Sequence, residues 1–333
     1  MQKIALIYNP ASGTRRNRRL REIEAVASVF EKAGKQVAIV RAAHLDQAST
    51  EVFQVLDGGF DTLIACGGDG TVHNILQAVV TSAAEVALGV IPFGSGNILA
   101  RDLHMPSRPV YAARLLLSAE PRQISVGRIT SSSATGENFS RFWMVAAGIG
   151  ADARIICEID ERVKSRYGVL AYYAESAKQL LLRRYKFPAF MVEFEEAGTG
   201  TRRQEVVTQI VAERVNYFAR CLQPCSEMDS GEMQLILFKT ARRSSYVAYG
   251  LRMLAHLATG VSGGVRDIVV VRVREVSCRK LKPGDASTTA WRPIVSGEQS
   301  ILAEADGELL RGLPVKIDVM PLATTLLYPV FKS

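Results

Sequence analysis

The sequence predicts an α/β protein in two parts. Residues 1–122 read as an α/β domain with a parallel sheet, and residues 123–333 as a β-rich second domain of sandwich type. Three observations lead there. Short apolar runs alternate with helix-spaced stretches through the first third of the chain. Three of those runs stop in loops of small residues. From about Gln123 the apolar residues switch to a period of two.

Lys3 to Tyr8, β-branched and apolar, is the first strand, and it stops at Asn9-Pro10-Ala11-Ser12-Gly13. A helix from about Leu20 to Ala33 follows, with Ile23, Val26, Ala27 and Phe30 at helical spacing and Gly34 to end it. Val37 to Arg41 is a strand, Gln47 to Leu56 a helix, and Thr62 to Cys66 a third strand. That strand breaks into Gly67-Gly68-Asp69-Gly70, after which Thr71 opens a helix through Val80. Val86 to Pro92 is the fourth strand, released into Phe93-Gly94-Ser95-Gly96-Asn97 ahead of a helix from Ile98 to Leu103. Later strands are expected at 124–129, 142–147, 190–194, 205–212, 233–238, 268–276 and 315–320, with helices at 167–182 and 244–257. Thr130 to Ser140 reads as an exposed hairpin loop and Ser296 to Ser300 as another. The C-terminal tail is expected to pack back on the first domain.

Composition is that of a globular protein, 48% hydrophobic and 22% charged. No apolar run approaches the roughly 18 residues of a membrane span, and the first strand is too short for a signal peptide, so a cytoplasmic protein is expected. Five scattered cysteines argue against a disulfide framework. The net charge of +8 favours an anionic partner: nucleotide, nucleic acid or membrane surface. Its basic clusters are Arg15 to Arg21, Arg183 to Lys186 and Arg242-Arg243. No RNA-binding aromatic motif, zinc finger or helix-turn-helix is present, so no nucleic acid partner is expected.

The loop after the third strand carries the chemistry. A strand, a glycine turn and a helix N-terminus together form an anion site, because backbone N–H groups point outward and the helix dipole favours negative charge. Glycines admit a phosphate without Cβ interference. Asp69 alone would repel that phosphate, and a divalent cation reconciles the two. A plain Asp-Gly turn is the alternative. Against it stand the loops at Asn9 and Phe93, which leave the same edge of a parallel sheet, where such folds bind ligands.

With these loops placed, the sequence resembles the diacylglycerol kinase catalytic-domain family of lipid kinases, which includes sphingosine and ceramide kinase-like proteins. Asn9 to Gly13 resembles its N-P-x-S-G, and Gly67 to Thr71 its G-G-D-G-T. Pro92 to Arg101 resembles P-x-G-[TS]-x-N-x-x-A-R, Gly148 to Ala153 resembles G-x-G-x-D-A, and Asp306-Gly307-Glu308 resembles D-G-E. The resemblance implies transfer of the γ-phosphoryl group of ATP to a lipid hydroxyl. Asn9, Pro10, Ala11, Ser12, Gly13, Gly67, Gly68, Asp69, Gly70, Thr71, Ser95 and Asn97 would hold ATP. Asp69 would act through Mg²⁺, and Asp306 or Glu308 would serve as base. Asp229, in Asp229-Ser230-Gly231, stands where the family has a metal-binding D-D-G. Asn74, Ser125 and Ser230 replace acidic residues, which puts an accessory Mg²⁺ in question. The implied partner is a lipid substrate, met by peripheral contact with the anionic inner face of the membrane. An NAD kinase-like enzyme and a non-catalytic nucleotide or lipid sensor are the alternative readings.

Overall fold

The structure, a computed structural model, describes residues 1–10, 18–42, 45–82, 84–132, 138–159, 174–176, 178, 185–215, 218–219, 221–222, 228–285, 300–310 and 312–331. The chain forms two compact units, one drawing on Met1–Val126 and Pro321–Ser333, the other on Gly127–Asp160 and Leu170–Met320. The fold class is α/β, with parallel strands in the first unit and a β-rich second one.

In the first unit, β1 (Lys3–Tyr8), β2 (Gln36–Arg41), β3 (Thr62–Gly67) and β4 (Ala87–Pro92) lie in the order β2-β1-β3-β4, every pair parallel. Their continuous apolar runs are what a sheet covered on both faces requires. The coverings are α1 (Arg19–Lys32), α2 (Leu45–Asp57), α3 (Asp69–Ser82), α4 (Ile98–Asp102) and α5 (Pro109–Leu116). α1 packs on α5 and α2 on α3. Helical spacing decides which faces turn inward: Ile23, Val26 and Phe30 on α1, and Val72, Ile75, Leu76 and Val79 on α3, are all buried. The C-terminal segment adds a further parallel neighbour, Thr325 and Leu326 pairing with Ala87 and Leu88 of β4. Leu326 and Leu327 are buried there, each contributing about 1.5–3 kcal/mol by apolar burial.

α3 begins two residues earlier than the sequence suggests. Thr71 and Val72 both donate N–H to the Gly68 carbonyl, at 3.0 and 3.2 Å. The turn therefore closes on Gly68, and Asp69 becomes the first helical residue.

The second unit is antiparallel. β5 (Glu120–Ser132) enters it and pairs from Gly127 onward with β6 (Asn138–Trp143). The rest is β7 (Ala146–Gly150), α6 (Ala151–Glu158), β8 (Phe190–Glu196), β9 (Thr201–Val207), β10 (Gln209–Glu213), β11 (Met233–Phe238), α7 (Arg243–Thr259), β12 (Ile268–Lys280), β13 (Ala303–Ala305), β14 (Glu308–Leu310) and β15 (Val315–Tyr328). The strand order β14-β13-β7-β10-β11-β12 branches at β12, which also pairs with β8 and with the start of β15. Trp143, Phe190, Val207, Ile210, Leu235, Val273 and Ile317 meet in one core.

Two expected strands are each broken in two, and the breaks have side-chain causes. The run from Phe142 to Ala147 divides because the Met144 and Val145 amides bond a carboxylate instead of a neighbouring strand. The run from Glu205 to Ala212 divides at buried Thr208, whose hydroxyl lies 2.5 Å from the Thr240 carbonyl and 2.7 Å from the Tyr246 hydroxyl. Of the expected loop at 130–140, residues 130–132 and 138–140 are paired strand, Thr130 opposite Ser140, and 133–137 lie outside the described residues. The expected helix at 167–182 falls mainly outside the described residues, as does the loop at 296–300.

Candidate active site

In the first unit three parallel strands end level. Tyr8 stands opposite Cys66, Cys66 opposite Ile91, and Gly67 opposite Pro92. The segments that follow leave the sheet at its carboxyl edge, where open α/β sheets place ligands. Asn9, Pro10, Gly67, Gly68, Asp69, Gly70, Thr71, Ser95 and Asn97 share that edge; Ala11, Ser12 and Gly13 lie outside the described residues.

Two of these loops meet backbone to backbone. A Cβ on Gly94 would lie 2.5 Å from Gly68 Cα, and one on Gly68 would lie 3.1 Å from Gly94 Cα. Only glycine permits that approach. Gly67 is confined as well, since a Cβ there would overlap the Thr71 side chain. Asn97, left-handed at φ 49°, shapes the second loop. Its Oδ1 accepts the Gly94 N–H at 2.9 Å, and its Nδ2 donates to the Gly94 carbonyl at 2.8 Å. The Leu99 N–H donates to Asp69 Oδ1 at 3.3 Å, tying the start of α3 to α4. Ser95 is exposed at the loop tip.

Sequence reasoning missed Arg19, which stands in a basic run that reads as solvated surface. Arg18 and Arg21 are exposed, but Arg19 is only 2% exposed. Its guanidinium donates to the Phe93 carbonyl at 3.2 Å and lies 4.6 Å from the Phe93 ring centre. It thus braces the root of the Gly94 loop. A signal was present: Arg19 stands four residues before Ile23, on the buried side of α1. Burial pushes the neighbouring Cys66 thiol up to about 12, with Arg19 opposing weakly, so this cysteine is inert.

The acidic turn of the second unit joins β13 to β14. Asp306 sits at its corner with φ 49°. The Val145 and Ala146 amides donate to its Oδ1 at 2.9 and 3.0 Å, and the Met144 amide to its Oδ2 at 2.9 Å. Three N–H bonds fix this carboxylate to the break between β6 and β7. Glu308, half-buried on β14, follows two residues later. Asp229 is exposed in a segment organised by another residue the sequence did not flag. Arg214, buried at 2% exposure, donates to the carbonyls of Met228, Ser230 and Glu232. Ser125 is buried, and its hydroxyl accepts the Leu322 N–H at 3.3 Å.

The first-unit residues fit a nucleotide with its cation: an edge of glycine backbone that any Cβ would obstruct, and one carboxylate at a helix start. Among the described residues no group of three His, Cys, Asp or Glu could hold a metal. A cation at Asp69 would therefore take phosphate oxygens as co-ligands, the usual habit of Mg²⁺.

Residues 3–129 match the family model of the diacylglycerol kinase catalytic domain. Among curated relatives, a diacylglycerol kinase of Staphylococcus saprophyticus is 24% identical over 263 residues, 79% of each chain. One of Staphylococcus aureus strain RF122 is 26% identical over 179 residues, about half of each chain at 54% and 53%. A Bacillus anthracis crystal structure superimposes with TM-score 0.71 at 18% identity, covering 98% of this chain and 95% of the other. A second crystal structure, of a diacylglycerol kinase of the same organism, gives 0.63 at 16%, covering 98% and 97%.

Outside the matched residues, beneath the acidic turn, lies a buried pair of carboxyls that no sequence motif connects, Asp152 and Glu304. A Cβ on Gly148 would lie 2.6 Å from Asp152 Oδ2 and 2.7 Å from Glu304 Oε1, so both groups crowd one glycine. Glu304 Oε2 accepts the Gly307 N–H at 2.8 Å. Burial, then the Asp152 and Asp306 charges, hold the Glu304 carboxyl well above the ordinary range.

Two outcomes are expected. Gly94→Ala pushes a methyl into Gly68 backbone and should lower stability by about 1–3 kcal/mol in urea melts, whereas Ser95→Ala at the exposed tip should leave it unchanged. A raised carboxyl pKa stabilises the fold below the unfolded value, and that stability is lost as pH climbs toward the folded value. Stability should therefore fall above about pH 4.3, by up to roughly 1.4 kcal/mol per pH unit for one such group. Glu304→Gln, permanently neutral, should flatten that slope in urea melts run across pH 4–9.

Proposed function

We propose that this chain is an ATP-dependent lipid kinase, which moves the γ-phosphoryl group of ATP to a hydroxyl of a lipid such as diacylglycerol or a sphingoid base. The observation that carries the reading is the backbone contact of Gly68 with Gly94 beside Asp69, within the residues that match the diacylglycerol kinase catalytic domain. Phosphoryl transfer asks a protein mainly for positioning and charge neutralisation. The loops at Asn9, Gly67 and Phe93 provide the first, since backbone N–H groups donate to phosphate oxygens without side-chain obstruction. Mg²⁺, when bound, supplies charge neutralisation at the β- and γ-phosphates, with Asp69 as its protein ligand.

Glu308 takes the proton of the attacking hydroxyl. The lipid oxygen bonds to the γ-phosphorus, the bond from that phosphorus to the bridging oxygen breaks, and ADP leaves. Asp306, engaged by three amides, holds the turn that presents Glu308. Asp229 is the carboxylate of its loop that an accessory cation would use. The enzyme works in the cytoplasm, peripheral to the inner face of the membrane; none of the described helices is long and apolar enough to cross one. Lys186 is exposed to meet anionic headgroups, while Arg183 and Arg184 of that cluster lie outside the described residues.

The purified chain, given labelled ATP and Mg²⁺ with diacylglycerol, monoacylglycerol, sphingosine, ceramide or phosphatidylglycerol, should place label in an extracted lipid. Label in NAD and in no lipid would remove the proposal, and ATP binding without transfer to any acceptor would make the chain a sensor. Asp69→Ala should cost about 10²-fold or more in turnover with the fold intact. The acidic turn gives a sharper contrast. Glu308→Gln should lower kcat by about 10²–10⁴ at unchanged ATP affinity and unchanged stability. Asp306→Asn exchanges one acceptor oxygen for an NH₂ group, and should lower turnover and the urea midpoint together.

A further inference from the structure

Helix α7 is amphipathic in the reverse of the usual sense. Val247, Ala248, Leu251, Leu254, Ala255 and Ala258 recur at helical spacing, which is the signature of a face turned to the core. All six are exposed. Leu251 keeps 61% of its surface in solvent, Leu254 55% and Val247 42%. The face turned to the protein carries Ser245, Tyr246 and Tyr249, with Tyr246 stacked on Phe238 and Tyr249 donating to the Phe218 carbonyl. At roughly 100° per residue the outward residues cover an arc of roughly 120°. Val261, 59% exposed, continues the apolar surface just past the helix end.

The charges around this stripe say what it meets. From Thr240 to Val265 the chain carries Arg242, Arg243 and Arg252 and neither Asp nor Glu. On the helix, Arg243 falls along one border of the stripe and Arg252 along the other. Arg243 is fixed in place, donating to the Tyr185 carbonyl at 2.7 Å and lying 5.1 Å from the Phe187 ring centre. An apolar stripe bordered by cations on a helix without acids suits an anionic lipid surface: side chains enter the acyl boundary and guanidiniums meet headgroup phosphates. A second protein copy would bring the same arginines face to face.

The geometry points to the outer face of α7 as the surface by which the protein docks on an anionic bilayer, with Leu251 and Leu254 inserted and Arg243 and Arg252 against the headgroups. This deepens the lipid-kinase reading and rests on it for biological sense, while its vesicle-binding arms need neither ATP nor an acceptor.

The full chain is sedimented with vesicles of phosphatidylcholine alone or with about 30% phosphatidylglycerol. The unaltered chain should bind the anionic vesicles and bind less as salt rises. Leu251→Glu with Leu254→Glu should lower the partition at least about tenfold. That double variant should still turn over an acceptor dispersed in detergent micelles, which separates loss of docking from loss of the kinase reading. Arg252→Gln should lower binding to anionic vesicles and leave neutral ones unaffected. As a readout independent of the glutamates, Leu251→Trp should gain fluorescence quenching by lipids with brominated chains, over and above the parent protein. Undiminished vesicle binding by the double variant, or no added quenching at Trp, would overturn the proposal. So would a dimer in solution that the double variant splits while vesicle binding persists, for the stripe would then belong to a second copy.

Discussion

The contact that the candidate nucleotide site depends on is the approach of Gly68 to Gly94, where two loops touch through bare backbone. It demands glycine at position 94 and leaves a Cβ at position 68 crowded against the Gly94 backbone, and it demands that β3 and β4 end at one level. The parallel register supplies that level, with Gly67 opposite Pro92. Other features then follow as supports. Asn97 folds the Gly94 loop on itself, Asp69 ties α3 to α4, and Arg19 is drawn out of water to brace the Phe93 carbonyl. Burying a guanidinium is costly unless it is bonded. Here a carbonyl and an aromatic face compensate, and the gain is a loop held still without any side chain occupying the ground before it.

What could be read from the sequence is what leaves a local trace. Glycine is chosen for sterics, so Gly67, Gly68 and Gly94 announce close approach, and the alternation of strand and helix announces the parallel edge that gathers them. The long-range choices leave no such trace. Nothing near Asp306 shows that its carboxylate will collect the amides of Met144, Val145 and Ala146, some 160 residues away. For the same reason the run from Phe142 to Ala147 looks like one strand and is two. Arg214 at the end of β10 belongs to this class, its partners lying at 228–232. Arg19 is intermediate: its helical phase placed it inward, but its basic neighbours spoke for solvent.

The acidic turn divides its labour in a way composition hides. D-G-E contains two carboxylates, and hydrogen bonding separates them. Asp306 accepts three backbone amides and so defines the turn. Glu308, two residues on, is half-buried on β14, and in the proposed reaction it is the carboxylate that takes the proton. Beneath them Glu304 takes the Gly307 N–H while crowded against Asp152. Two carboxyls so close cannot both ionise cheaply, so one proton is retained between them. The turn therefore rests on a group that a rise in pH would turn into a repelling anion.

The same local periodicity that locates a core-facing helix also describes α7, and there it points the wrong way. Spacing fixes which residues share a face; it does not fix whether that face meets protein, water or lipid. The deciding information lies in the opposite face, where Tyr246 and Tyr249 have stacking and hydrogen-bonding partners in the second unit. A helix already satisfied through aromatic and polar contacts has no interior use for Leu251 and Leu254. Large side chains left in water at 61% and 55% exposure gain nothing from the fold itself. Bordered by arginines and free of acids, they gain only from a surface that is apolar within and anionic at its rim.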